Sequence, residues 1–156
     1  TVFMLKRFWF LAIFMAISFP GFTQPVAHNA KIVSITGSAQ VKNAMSSKWE
    51  KAFEQMVLEQ GSSLRTENNS QVVLNIDESA NTAVLTVKQN SQLTFAQLLQ
   101  DAKNQTASTL LDLSLGEIFI EAKKLHSQES KFEVKTPTSI VGVRGTKFSV
   151  TVKSLK

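Results

Sequence analysis

Two stretches alternate apolar and polar residues and then lose phase at a glycine. In Leu111-Asp112-Leu113-Ser114-Leu115-Gly116-Glu117-Ile118-Phe119-Ile120, the leucines share one face of an extended chain while Ile118 and Ile120 share the other, with Gly116 between them. Side chains alternate every residue along a strand, so one core can receive both sets only if the backbone slips by one. A glycine bulge achieves this. The same slip recurs near the C-terminus, where Val141 and Val143 are out of phase with Phe148, Val150 and Val152, and Gly145 lies between. A bulge there predicts that all five side chains face one core.

The rest of the chain reads the same way. Val33, Ile35, Ala39 and Val41 share a face around Gly37, as one bent strand or two short ones. Val72, Leu74 and Ile76 alternate; Asp77 to Asn81 reads as a turn, and Val84, Leu85 and Val87 as the return strand of a hairpin. A further turn at Asn90-Ser91 precedes a short strand at Leu93 and Phe95. Residues 96–108 are polar, and read as a loop or a helical excursion. Residues 48–58 fit a helix weakly, with Trp49, Phe53 and Met56 at i, i+4 and i+7. Phe132 and Val134 form another strand, which Pro137 stops because proline cannot donate to a ladder. Many short strands separated by turn chemistry predict an all-β domain, a β-sandwich or a β-solenoid-like roll whose corners are turned by glycine bulges.

The N-terminus differs. Lys6-Arg7 precede an apolar run from Phe8 to Ile17, and Pro20-Gly21 end it, the layout of a secretory signal peptide. The expected division is a signal helix over residues 1–24, with cleavage after Thr23 or as late as Ala27 or Ala30, and a β domain over 31–156. The run is shorter than the ~20 residues of a membrane span, although an uncleaved anchor is an alternative. Removing Lys6 and Arg7 takes the net charge from +5 to +3. The lysines are scattered, with no basic stripe interleaved with aromatics, which argues against nucleic acid. No cysteine is present, so disulfides and thiolate metal sites are excluded.

Phe132-x-Val134-x-Thr136-Pro137, followed by Val143-Arg144-Gly145-Thr146-x-Phe148-x-Val150, resembles the signature of the FecR domain family, bacterial extracytoplasmic domains named after the ferric citrate regulator. Weaker agreement extends upstream to about Ile32. In that pattern a tryptophan precedes a glycine-containing turn and a short strand, which Trp49, Gly61, Leu64 and Thr66 match. The ferric citrate regulator binds a sigma factor through a cytoplasmic segment. No such domain precedes the apolar run here, so anti-sigma activity is not carried over. The signature residues Thr136, Pro137, Gly142, Arg144, Gly145 and Thr146 are the candidate binding positions. Arg144 has a planar fork of donors suited to carboxylate or phosphate, or to bonding backbone carbonyls or Glu133 at the sheet end.

No nucleophile, base and orienting group are patterned together, and His28 and His126 have no acidic partner spaced for catalysis. Asp77-Glu78 and Glu117/Glu121 are pairs, too few for a hard cation. No enzyme activity, cofactor or metal is expected. Together with the N-terminal layout, the resemblance implies an exported, non-catalytic FecR-domain module that binds or senses an envelope or periplasmic protein, by strand addition to an exposed edge, in the periplasm or at the cell surface. The alternative is a membrane-anchored regulator of signalling linked to iron uptake, contacting the membrane only through the N-terminal segment.

Overall fold

The computed structural model describes residues 26–76, 83–101, 103–104, 106–122, 130–143 and 147–153. The predicted signal segment and the predicted 77–81 turn fall outside them, apart from Val26 and its neighbours at the border. The described residues contain only strands and turns: β1 (Val26–Ala27), β2 (Ala30–Thr36), β3 (Ala39–Lys42), β4 (Glu50–Lys51), β5 (Val57–Leu58), β6 (Ser63–Thr66), β7 (Gln71–Ile76), β8 (Ala83–Val87), β9 (Gln92–Asp101), β10 (Thr106–Ala122), β11 (Lys131–Lys135), β12 (Ile140–Gly142) and β13 (Lys147–Val152).

The strands run β4-β3-β6-β9-β10-β8-β7-β2-β5 through one curled sheet. Strand β10 belongs to both limbs. Its first part pairs with β9 and β11, and its second part, from Gly116 onward, pairs with β8 and β13. All these pairings are antiparallel except β10–β11. A stack of parallel coils is therefore excluded, and the architecture is a half-barrel folded round one core. Phe95, Leu93, Leu111 and Leu113 from one limb meet Ile32, Leu74, Leu85, Ile118 and Ile120 from the other, all fully buried.

The sheet is creased along one line. The chain passes between limbs at Gly37-Ser38, Asn69-Ser70, Asn90-Ser91 and Gly116, and Gly37, Asn69, Asn90 and Gly116 all have positive φ. Asparagine tolerates that region better than other residues with a Cβ. Serines lock the crease. Ser70 Oγ accepts from Ser38 N (2.9 Å) and donates to Asn68 O, while Ser91 Oγ accepts from Glu117 N (2.9 Å) and lies within bonding distance of Gln89 O and Glu117 O. Backbone bonds Glu67 N to Ser38 O, Asn90 N to Glu67 O and Lys88 N to Glu117 O join adjacent corners.

Several expectations are corrected. Residues 48–58 are not helical. They form β4, a turn with Gln55 at φ 69° and β5, because Ala52 and Leu58 are the buried side chains while Phe53 is 60% exposed. The family pattern is the better guide there, since Gly61 (φ +87°) sits in the turn before β6. Residues 96–101 and 106–108 are neither a loop nor a helix, but the ends of β9 and β10. A register shift leaves Ala96 without a partner, so Phe95 and Leu98 both point inward and the alternation is hidden. Asp101 caps the connecting turn, accepting from Lys103 N and Asn104 N, and the Asn104 bond lowers its carboxyl pKa. Val33 lies in a second shift, in β2, and is 41% exposed rather than facing the core.

The C-terminal stretch is not one bulged strand. Strand β12 pairs with β11 and β13 pairs with β10, so they belong to different limbs. Val143 is buried and Phe148, Val150 and Val152 are half-buried, but Val141 is 38% exposed. The predicted bulge at Gly145 lies outside the described residues.

At Gly116 (φ +93°) a Cβ would sit 2.1 Å from Ser91 Oγ and 2.4 Å from Ser91 Cα. Gly116→Val should therefore cost more than about 3 kcal/mol in urea unfolding. Gly142→Ala, where a Cβ meets nothing within 4 Å, should stay within about 0.5 kcal/mol.

Candidate functional site

The two mouths of the half-barrel are built differently. On one side residues 50–58 arch across both limbs. β4 pairs with β3, Ala52 N donates to Ala39 O, β5 pairs with β2, and Gln55 N donates to Ile32 O. Buried Ala52 and Leu58 plug that side. The arch is held from outside by Trp49, whose ring lies 4.3 Å from the Arg65 guanidinium carbon and 5.2 Å from Lys42 Nζ. Arg65 is itself oriented by Gln40 Oε1 (Nε, 2.8 Å). Such cation–π contacts contribute roughly 0.5–1 kcal/mol each at exposed sites.

The other mouth ends in β12 on one limb and β13 on the other, and no described strand lies beyond either. Between them is an open cleft of about 790 Å³ lined by Leu115, Thr136, Pro137, Val141, Val150 and Val152 among others. Val141 (38% exposed) and Leu115 (39%) present apolar surface there, and Ile140 (63%) is exposed on the opposite face of β12.

The backbone of β12 can be read further. Val143 N donates to Phe132 O, and the register pairs Val141 with Val134. In an antiparallel ladder alternate residues direct both backbone groups to the same neighbour. Val141 and Val143 therefore face β11, and the N–H and C=O groups of Ile140 and Gly142 point off the edge.

Of the predicted site residues, Thr136 and Gly142 flank this edge and Pro137 is exposed at its rim. Arg144, Gly145 and Thr146 lie outside the described residues. The Thr136 hydroxyl is occupied: Oγ1 accepts from Ser139 N (3.1 Å) and meets Ser139 O and Oγ, while Thr136 N donates to Ser139 O (2.8 Å). Its work is to close the turn that sets β12 beside β11. The alternation pattern had assigned Val141, Phe148, Val150 and Val152 to the core alone. The signal for an edge was the short uncharged run Ile140-Val141-Gly142 between two turns.

A second, polar notch at the crease involves side chains already engaged with one another. Lys88 Nζ donates to Gln71 Oε1 (3.0 Å), and Asn69 N donates to Gln89 Oε1 (2.9 Å).

A family model described as FecR protein matches residues 45–155. The chain belongs to the FecR family. The match spans the Trp49 arch, the crease from Asn69 to Gly116 and the open edge, so the FecR domain includes every element that shapes the cleft. No curated protein and no solved structure matches the chain. FecR proteins are a regulatory, envelope-associated family.

Thr136→Ala should cost about 1–2 kcal/mol in denaturant unfolding, because Ser139 N loses its acceptor. Thr136→Ser, which keeps the oxygen, should recover most of that loss.

Proposed function

We propose that this FecR domain is an exported, non-catalytic module of the bacterial envelope that binds or senses a partner protein by taking an extended segment onto its open edge. The supporting observation is the asymmetry between the mouths: one is plugged by residues 50–58, and the other leaves two edge strands above an apolar cleft. Strand addition uses main-chain hydrogen bonds for affinity and alternate side-chain pockets for specificity. The outer backbone of either edge strand, Ile140 and Gly142 in β12 or that of β13, supplies the former, and the cleft between Val141 and Val150 the latter.

Export rests on the Lys6-Arg7 and Phe8 to Ile17 layout. The fold bears on where cleavage falls. Val26 and Ala27 pair with Gln100 and Leu99, and Ala30 is fully buried. A cut after Ala27 or Ala30 would remove β1, so the reading favours a cut close to Thr23.

The full chain expressed in a bacterial host should yield a periplasmic species whose intact mass corresponds to loss of the residues before β1. An unprocessed inner-membrane species would instead support the membrane-anchored regulator. A photo-crosslinking residue at Thr151 should trap an envelope protein in cells, whereas the same residue at Lys51, on the plugged side, should not. Equal trapping at both positions would count against the open edge as the contact surface.

A further inference from the structure

We infer that the segment received beside β13 is acidic on its outward face, an alternating acidic and apolar strand from a different protein; this rests on the strand-addition reading above. From Lys135 to the end of the chain the charged residues are Lys135, Arg144, Lys147, Lys153 and Lys156, with no aspartate or glutamate among them. Of these, Lys147 lies in β13 and Lys153 just past its end, so the outermost described strand of that limb carries charge of one sign.

Beside β13 the nearest carboxylates belong to β10 and are already engaged, while Glu133 of β11 lies opposite Gly142 of β12. Glu121 Oε1 is 3.0 Å from Lys147 Nζ, Glu117 Oε1 accepts from Ser149 Oγ (3.1 Å), and Asp112 Oδ2 is 3.5 Å from Lys135 Nζ. A strand added outside β13 would meet its outward side chains first: Lys147, Ser149 and Thr151, with Lys153 just beyond the strand end, all exposed. Opposite charges directly across a ladder are favourable and like charges are not. The inward side chains of the added strand would cover Val141, Phe148, Val150 and Val152, which the domain leaves partly exposed.

Charge also argues against a second copy of this chain. Two β13 strands paired antiparallel about a two-fold through Val150 place Lys147 of one opposite Lys153 of the other. Edge lysines commonly serve to prevent such self-pairing. On this edge the same lysines that repel a copy attract an acidic strand. A purely protective role does not explain why the neighbouring edge, β12, carries no charge and exposes Ile140.

The test uses the processed full-length protein and fluorescent peptides of alternating glutamate and valine, followed by anisotropy. The glutamate peptide should bind, weaken with added salt, and lose binding when its backbone is N-methylated at alternate residues. K147E/K153E should weaken it about tenfold, the scale of two opposed cross-strand pairs turned into repulsions, and should gain binding to the lysine–valine peptide. Equal wild-type binding of both peptides, each abolished by N-methylation, would overturn the acidic inference while leaving strand addition intact. Binding unaffected by N-methylation, or no binding of either peptide, would overturn strand addition and this inference with it. Concentration-dependent dimerisation that the single change K147E strengthens and the glutamate peptide cannot compete would identify a second copy as the occupant instead.

Discussion

The fold depends on one crease. A single sheet can enclose a core only by turning back on itself, and here the chain makes that turn at Gly37, Asn69, Asn90 and Gly116, in line with one another across neighbouring strands. Each corner asks for a backbone conformation that most residues avoid, and each interrupts a ladder, leaving amides to be satisfied elsewhere. The two Asn-Ser-Gln triplets at Asn69 and Asn90 answer both needs, asparagine taking the positive φ and serine Oγ receiving the amide of an adjacent corner. The glycines at the outer corners have a second reason to be glycine. Ser70 and Ser91 occupy the space where their Cβ atoms would be.

Strand β10 carries this geometry to the open edge. It is the long strand that lies in both limbs, and it has neighbours on both sides in each: β9 and β11 before Gly116, β8 and β13 after it. The signature stretch therefore does not extend one sheet. It splits, placing β11–β12 on one limb and β13 on the other, so that two edges with no described strand beyond them face a common cleft. That division explains why Thr136 belongs to the signature in structural terms, since its hydroxyl closes the turn returning the chain along β11.

How much of this was legible in the sequence can be judged position by position. The alternation of Val72, Leu74 and Ile76 and the stop before Pro137 report local backbone geometry, and the structure bears them out; Gly116 does turn the strand, but the register shift comes at Ser114 and leaves Leu115 outside the core that Leu111 and Leu113 enter. Ala96 was not legible, because a bulge without glycine leaves no chemical mark and merely scrambles the alternation. Residues 48–58 misled for a different reason: a helical spacing of Trp49, Phe53 and Met56 arises by chance in an arch whose buried residues are Ala52 and Leu58. The separation of β12 from β13 was hidden because phase can show that a slip occurs, but not that the chain changes partner. Of the candidate site, the signature covers the stretch that divides into β11, β12 and β13. The edge itself became visible only once Val141 proved exposed and no described strand lay beyond Gly142.

An edge of this kind is well suited to binding because its cost is met in advance. Ordering an extended backbone costs roughly 1–2 kcal/mol per residue, and a partner strand must bear that cost for its own residues. The domain need not bear it again. β13 is held along its length by the shared strand β10, and β12 by β11 and the Thr136 turn, on a sheet fixed by the crease. Preorganisation of one partner is a general route to affinity without large area. It also bears on specificity. A rigid edge accepts any extended backbone, so discrimination must come from what lies beside the ladder, and beside β13 that is Lys147, Lys153 and a cleft of valines.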